Sequence, residues 1–352
     1  MKIALIADTH LGVKKSDKVF QESQMKFFEQ QFVPELKERG ITTIVILGDV
    51  FDTRQAVNTN TMNTVLHLFN VVLKGFDVHV IVGNHDLYYT TTTEVNSVKW
   101  LSLIQNVHLY ENPTKVVLGK DTDSTEVLML PWITDYKAFD EWNTTAEYIF
   151  AHLDIAGMRM DKFNFCTSGA TIQKLFDKFD HIYSGHFHTR SEKKQGTKNI
   201  TYVGSPYQIT RMDKDDARGY TILDLKTNET EFVENVQSMK FKTANFPEKI
   251  DDIGNFTRGN VIDVLVKYED SKYSKKIYEY AKNFEQYGPA YPVNIKIMQR
   301  EEVAPTEKKI DGINLFSLMK EYVDADNEIP KEQKTVVYNE LIRLYNDCKG
   351  QS

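Results

Sequence analysis

Thr43-Ile44-Val45-Ile46-Leu47 runs without a break into Gly48-Asp49-Val50-Phe51-Asp52, and this junction decides the fold. The first five residues are β-branched or aliphatic with no polar alternation, which is the pattern of a strand buried on both faces. Gly48 then ends the run and two carboxylates follow within four residues. The same arrangement recurs on either side. Lys2 to Ala7 reads as a buried strand that stops at Asp8-Thr9-His10, and Val78 to Val82 as another that stops at Gly83-Asn84-His85-Asp86. Between them, Gln21 to Arg39, ended by Gly40, and Thr61 to Lys74 carry helical periodicity. The resulting βαβ order predicts an α/β fold built on a mixed or parallel sheet. Further strands are expected at Glu126 to Leu130, Tyr148 to Ala151, His181 to Ser184, Ile200 to Val203 and Tyr220 to Leu225.

Size and composition narrow the class. A chain of 352 residues exceeds what one compact core usually supports, so one large domain with smaller appendages is expected. Hydrophobic content of 41% and charged content of 26% are those of a globular protein. Apolar stretches such as Ile41 to Leu47 fall far short of the roughly 20 residues that span a bilayer, so no membrane helix is expected. Met1 to Asp8 enters a strand pattern directly, with none of the marks of a secretory leader. Cys166 and Cys348 are far apart and have no partner at metal or redox spacing. A reducing, cytoplasmic setting follows. The net charge of −7 argues against a chain that coats nucleic acid, although a local basic groove is compatible with it.

The chemistry lies at the strand ends. Asp8-Thr9-His10, Gly48-Asp49-Val50-Phe51-Asp52, Gly83-Asn84-His85-Asp86 and Gly185-His186-Phe187-His188 each follow an apolar run, as does His152 in Ile149-Phe150-Ala151-His152-Leu153-Asp154. Ligands of open α/β sheets collect at the carboxyl ends of strands, where all of these side chains would sit. A pair of divalent cations about 3.5–4 Å apart requires a bridging carboxylate and several further donors, and Asp49 is the natural bridge. Carboxylate, amide and imidazole without thiolate suit Mn²⁺, Fe or Zn²⁺. His67, His79, His108 and His181 lie within helix or strand patterns and read as surface or core residues. Asp52 and Asp86 could each orient a histidine or cap the following turn, and Pro131-Trp132 could line the groove or fill the core. Lys14, Lys15, Arg54, Lys193, Lys194 and Arg211 stand near these motifs in sequence, where they could meet a phosphate backbone.

Taken in order, D-x-H, G-D-x-x-D, G-N-H-D, a single His and G-H-x-H resemble the signature of the calcineurin-like metallophosphoesterase superfamily over residues 8–188. Tyr202-Val203-Gly204-Ser205-Pro206-Tyr207-Gln208 and Arg218-Gly219-Tyr220 are similar to its SbcD and meiotic-recombination nuclease branch, and the modest length is that of tailed-phage recombination endonucleases. The resemblance implies a layered α/β sandwich holding two divalent ions, with Mn²⁺ favoured over Mg²⁺, Fe or Zn²⁺. By it, Asp8, His10, Asp49 and His188 would hold one ion, and Asp49, Asn84, His152 and His186 the other. His85 would not ligate; it would protonate or stabilise the leaving oxygen. The implied substrate is DNA, at double-strand ends and hairpins, in the cytoplasm of a bacterial or phage-infected cell. The alternative within the superfamily is a small-molecule cyclic phosphodiesterase or nucleotidase.

Downstream, the polar cluster from Lys240 to Thr257 reads as a boundary. The expected organisation is a nuclease domain over 1–240, a small βαβ module over 241–300 and terminal helices over 301–352. In the implied family the module caps the active site and the helices bind the coiled coil of an SbcC-type ABC ATPase, while two nuclease subunits pair. Apolar stripes at Ile313, Phe316, Leu318 and Met319, and at Val337, Leu341, Leu344 and Tyr345, fit such a partner surface. No Walker motif is present, so any ATP dependence must come from the partner.

Overall fold

A computed structural model describes residues 1–298 apart from 120, 121, 123, 142 and 143, and beyond them residues 323–324, 333–338 and 340. The chain divides into two compact units, Met1–Met298 and Gln299–Ser352. Most of the expected terminal helices, Leu315 to Val323 and Lys331 to Asp347, lies outside the described residues.

The strands of the first unit, in chain order, are β1 (Lys2–Ile6), β2 (Thr43–Ile46), β3 (Asp77–Ile81), β4 (Val107–Tyr110), β5 (Thr114–Leu118), β6 (Thr125–Leu130), β7 (Ala146–His152), β8 (Ile155–Ala156) and β9 (Ala170–Thr171). They continue with β10 (Phe179–Gly185), β11 (Ser191–Gln195), β12 (Lys198–Tyr202), β13 (Gly219–Asp224), β14 (Glu229–Glu234), β15 (Phe241–Asn245), β16 (Val261–Val266) and β17 (Asn294–Ile297). Among the described residues they form two six-stranded mixed sheets, ordered β14-β13-β1-β2-β3-β4 and β11-β12-β10-β7-β6-β5, besides a three-stranded sheet and a short pair.

Strand alternation explains how the two large sheets stack. Ile3, Leu5, Val45, Leu47 and Ile81 of the first sheet share one apolar layer with Val127, Met129, Tyr148, Phe150 and Tyr183 of the second. Intervening residues face outward: Ala4, Ile6, Ile44, Ile46, Val78 and Val80 meet Phe20, Phe27, Phe28 and Phe32 of the covering helix. On the other side Leu128, Ile149, Ile182 and Ile200 meet Leu175 and Phe176 of the helix Ile172–Lys178. Helix, sheet, sheet, helix is therefore the layering, and it accounts for the uniformly apolar runs. Each such side chain, fully buried, contributes about 1.5–3 kcal/mol of transfer free energy.

The covering helix is longer than the spacing predicts and changes pitch. It begins at Lys18, where the Asp17 side chain accepts the Phe20 N–H, passes through a π-helical turn at Phe28–Phe32 and ends at Glu38. That turn shifts the helical phase, so Phe27, Phe28, Gln31 and Phe32 can all be buried. A second π-helical turn, Leu68–Val72, follows the helix Thr59–His67.

The polar stretch read as a boundary contains β15. It forms a parallel sheet ordered β15-β16-β17, whose crossover helix Ser274–Glu285 completes the expected βαβ unit. Ala244, Ile262, Val264, Ile277, Ala281 and Phe284 give this module its own core. Phe241 and Val261, however, belong to the main core, and the Phe241 N–H donates to Gln208 Oε1 at 2.7 Å. The module is thus fused to the large sheets at the foot of β15. Among the described residues no helix is long and apolar enough to cross a membrane.

A polar clamp reinforces this junction. Asp263 on β16, only 9% exposed, accepts hydrogen bonds from Arg211 Nε at 2.7 Å, Lys296 Nζ at 2.8 Å and Asn294 Nδ2 at 2.9 Å. Burial raises its pKa, but these donors outweigh burial and draw it down to about 2. An unfolded aspartate titrates near ~3.9. The clamp is therefore at full strength above that value and is lost as pH falls through the folded value. In urea titrations Asp263→Asn should lower the unfolding free energy by about 1–2 kcal/mol at neutral pH. The difference from the parent chain should narrow from about pH 5 downward; a pH-independent difference would exclude an ionic clamp.

Candidate metal centre

The carboxyl ends of β1, β2, β3, β7 and β10 meet along one edge of the stacked sheets, and their loops are held in unusual conformations. Asp8, His10, Asp49 and His186 all have positive φ, at 53°, 39°, 53° and 98°. Such geometry costs an L-residue about 1–2 kcal/mol and persists only where the surroundings enforce it. Asp86 provides one enforcement. Its Oδ2 accepts the N–H groups of Asp49 and Gly83 at 3.0 and 2.9 Å, and its Oδ1 those of Val50 and Phe51 at 3.1 and 3.2 Å. Gly83 provides another, since a Cβ there would lie 2.2 Å from Asp49 Oδ1.

These constraints bring Asp8, His10 and His188 together as one group, and Asp49, His152 and His186 as a second. Asp49 Oδ2 lies between them, 3.7 Å from His10 Nε2 and 3.4 Å from His152 Nε2. The tautomers follow from the outer partners. His152 Nδ1 is 2.7 Å from the Leu47 carbonyl, which can only accept, so in the neutral ring the hydrogen is on Nδ1 and the Nε2 lone pair points inward. His186 Nε2 faces the Asp154 carboxylate at 2.9 Å, which leaves the Nδ1 lone pair inward. Asn84 Oδ1 lies 2.9 Å from the first inward nitrogen and 2.8 Å from the second. Once His152 gives up its Nε2 proton, three acceptors converge here without a hydrogen among them. On the other side His10 Nε2 and His188 Nε2 are 2.9 Å apart, and the buried Asp8 Oδ2 has no hydrogen-bond partner. Convergent lone pairs of this kind are satisfied by cations, and the oxygen and imidazole donors fit divalent ions.

Burial sets the charge states. It lowers His10 far below the usual imidazole range, His188 to about 4 and His186 in the same direction, which keeps their lone pairs available at neutral pH. Burial also opposes charge on Asp49, but the imidazoles of His152, His10 and His85 outweigh it and hold this carboxyl well below its ordinary value. His152 shows the converse: burial lowers it, Asp49 more than compensates, and it rises to about 9. Burial raises Asp8 to about 7, with Asp49 adding to the shift and His152 opposing it. Cation binding at this cluster would displace those protons.

The other residues singled out from the sequence divide clearly. His85 sits beside the cluster, its ring 4.8 Å from that of His10, with Nδ1 2.8 Å from the Asp52 carbonyl and its N–H donating to Asp49 Oδ1 at 2.8 Å. The Asp52 carboxylate lies 3.5 Å from His10 Nδ1, a close approach without a hydrogen bond. Trp132 packs its indole 5.0 Å from His186 and 5.9 Å from His152. Lys14 and Lys15 are exposed in a left-handed turn just beyond His10, and Arg54 is half-buried beyond Asp52. Lys193 and Lys194 follow β11 away from the cluster, pairing with Ile200 and Asn199. Arg211 is engaged by Asp263, a structural use that its closeness to the motifs in sequence does not suggest. The Tyr207 hydroxyl bonds to the Thr9 carbonyl, and the buried Arg218 ties Ser205 to Asp213 and Asp216, so that segment braces the site from below. Asp154 is the residue that sequence reasoning missed; its one signal is its place two residues after His152.

This fold, with this donor set at its strand ends, is that of a phosphoesterase: the profile of the calcineurin-like phosphoesterase family matches residues 1–190, and the chain belongs to that family. Over 351 residues, 98% of this chain and 98% of its own, it is 27% identical to exonuclease subunit 1 of Enterobacteria phage T4. It is 25% identical over 233 residues to the DNA double-strand break repair protein Mre11 of Methanosarcina mazei, covering 64% of this chain and 36% of that protein. To the SbcD component of the SbcCD nuclease of Staphylococcus epidermidis it is 24% identical over 261 residues, 65% of this chain and 67% of that protein.

Asp154 is partly exposed, so its replacement leaves the core intact. Calorimetric titration of the ion-free Asp154→Asn chain with Mn²⁺ should show affinity roughly 10–100-fold below the parent. Unchanged affinity would mean that His186 needs no carboxylate behind it.

Proposed function

We propose that this chain is the catalytic subunit of a divalent-cation-dependent DNA nuclease that hydrolyses phosphodiester bonds at double-strand ends in recombination and repair. The observation that carries this reading is the convergence of carboxylate, amide and imidazole donors around Asp49, with His85 at its margin beside His10 and Asp52. DNA is preferred over a small phosphodiester because the likeness to the T4 exonuclease subunit continues through the small module and the C-terminal residues, far past the phosphoesterase match at 190.

In this reading Asp8, His10, Asp49 and His188 hold one cation and Asp49, Asn84, His152 and His186 the other, with Mn²⁺ the favoured metal. Bound there, divalent cations would supply Lewis-acid chemistry for a phosphoryl group and for an attacking water. Attack on phosphorus forms one P–O bond, the opposite P–O bond breaks in line, and the leaving oxygen acquires negative charge that must be stabilised or protonated. His85 is suited to that task. The Asp52 carbonyl can only accept, so Nδ1 keeps its hydrogen and Nε2 is the nitrogen left for substrate. As the imidazolium, its Nε2–H stabilises or protonates the departing oxygen. Asp52, through its carbonyl, and Asp86 are positioning residues, one for His85 and one for the backbone of both central loops. Lys14, Lys15 and Arg54 flank the cluster on the side where a phosphate backbone would pass.

The small module over 241–300 limits which DNA shapes enter, two nuclease subunits pair, and the residues after 300 bind an SbcC-type coiled-coil ABC ATPase, which supplies the ATP dependence that this chain lacks a motif for.

Three measurements test the proposal. His85→Ala should keep its bound Mn²⁺ while losing at least about 100-fold in hydrolysis of linear duplex and hairpin DNA; loss of metal in the same variant would reassign His85 as a ligand. Turnover by the parent chain confined to cyclic nucleotides or a generic phosphodiester would instead favour a small-molecule enzyme. Separately, a chain ending at residue 304 should retain Mn²⁺-dependent DNA cleavage and no longer co-purify with the ATPase; continued co-purification would place the partner's surface elsewhere.

A further inference from the structure

The reaction proposed above draws on five of the nine histidines. Two of the others meet at the opposite end of the first sheet. His79 on β3 and His108 on β4 are cross-strand partners in register, their rings stacked 4.8 Å apart at 23°. Asp77, the first residue of β3, stands on the same face as His79 and reaches both rings: Oδ1 lies 2.8 Å from His108 Nε2, and Oδ2 3.2 Å from His79 Nε2. The far side of His79 is also fixed, since Nδ1 lies 2.8 Å from the Tyr110 hydroxyl.

We propose that Asp77, His79 and His108 form a second, separate metal site that takes a late first-row divalent cation of the zinc class and clips edge strand β4 to β3. All three offer a donor atom within 4.8 Å of the others. Zinc bound by nitrogen and oxygen at about 2.0–2.2 Å has ligand–ligand edges near ~3.4 Å, so small rotations of half-exposed side chains suffice to admit it. Two imidazoles and one carboxylate suit zinc or cobalt better than magnesium or calcium, which prefer oxygen. A three-ligand set at the surface leaves a fourth position for water. Donation from His79 Nδ1–H to the Tyr110 hydroxyl leaves the Nε2 lone pair facing Asp77 and orients the ring as outer partners of metal ligands do.

The competing account is a simple ion pair, which needs a positive charge on an imidazole. His79 is 7% exposed, and burial lowers its pKa despite Asp77, which favours the neutral ring that a metal requires. Asp77 and His108, in contrast, are 50% and 49% exposed, so a cation can enter from solvent. The site's position gives it a use: β4 lies at the end of the sheet order and is four residues long. A bond between its side chain and that of β3 would secure it against fraying or against pairing with another chain. The seven-position separation between Asp77 and Asn84 places the site roughly 20 Å from the phosphoesterase cluster. Cation binding here is independent of the reaction assigned above.

The test uses the full chain, stripped of metal and dialysed against micromolar Zn²⁺, with bound zinc counted by atomic emission and thermal melting followed in parallel. The parent should hold one zinc more per chain than either His108→Gln or Asp77→Asn. Both variants should lose the part of the zinc-dependent rise in melting temperature that the parent shows, while phosphodiester hydrolysis with Mn²⁺ is unchanged. Both replaced side chains are half exposed, so the core is undisturbed. Equal zinc content in the parent and either variant would overturn the proposal.

Discussion

A single buried carboxylate, that of Asp86, joins the two central loops. Four backbone N–H groups, from Gly83 on one loop and Asp49, Val50 and Phe51 on the other, converge on its two oxygens. Burial and the nearby Asp49 raise its pKa to about 7 against these donors, and a carboxyl with no exposed surface is tolerable only with this degree of hydrogen bonding. Its acceptance of the Asp49 N–H helps turn the Asp49 side chain toward the histidines. Asp49 in turn accepts the N–H of His85 with one oxygen and presents the other to the cluster. Backbone geometry, donor convergence and the position of the proposed proton donor thus share one anchor.

That anchor holds the left-handed backbone at Asp49, a conformation shared by Asp8, His10 and His186. Glycine would adopt these angles with less strain, yet a glycine carries no donor atom. The glycines stand instead beside the strained residues: Gly48 precedes Asp49, Gly185 precedes His186, and Gly83 lets the Asp49 backbone approach closely. Strain at the functional residues is thereby offset by the dense packing of two stacked sheets beneath them.

Much of this was legible in the chain itself. Strands buried on both faces produce long apolar runs, and a strand-end polar cluster after each run exposes the side of the sheet on which chemistry is done. The pairings that escaped reading are those between residues distant in sequence. Asp154 is defined by His186, 32 positions later, and Arg211 by Asp263, 52 positions later. Asp77, His79 and His108 come together only through the register of β3 with β4, a strand that polar and histidine residues conceal. Near residue 240 the mixture of Lys, Thr and Asn hides β15, because just two of its five residues, Phe241 and Ala244, are fully buried. The π-helical turns leave no compositional mark; the first arises from the need to bury the adjacent Phe27 and Phe28 together with Phe32 against one sheet.

Tyr207 and its neighbour Gln208 face different ways: the first holds the carbonyl of Thr9, between Asp8 and His10, and the second holds the first N–H of β15. Force applied to the three-stranded module therefore has a two-residue path to the loop that carries Asp8 and His10. Displacement of the module would tug on that loop, so the module can act on it as a lever.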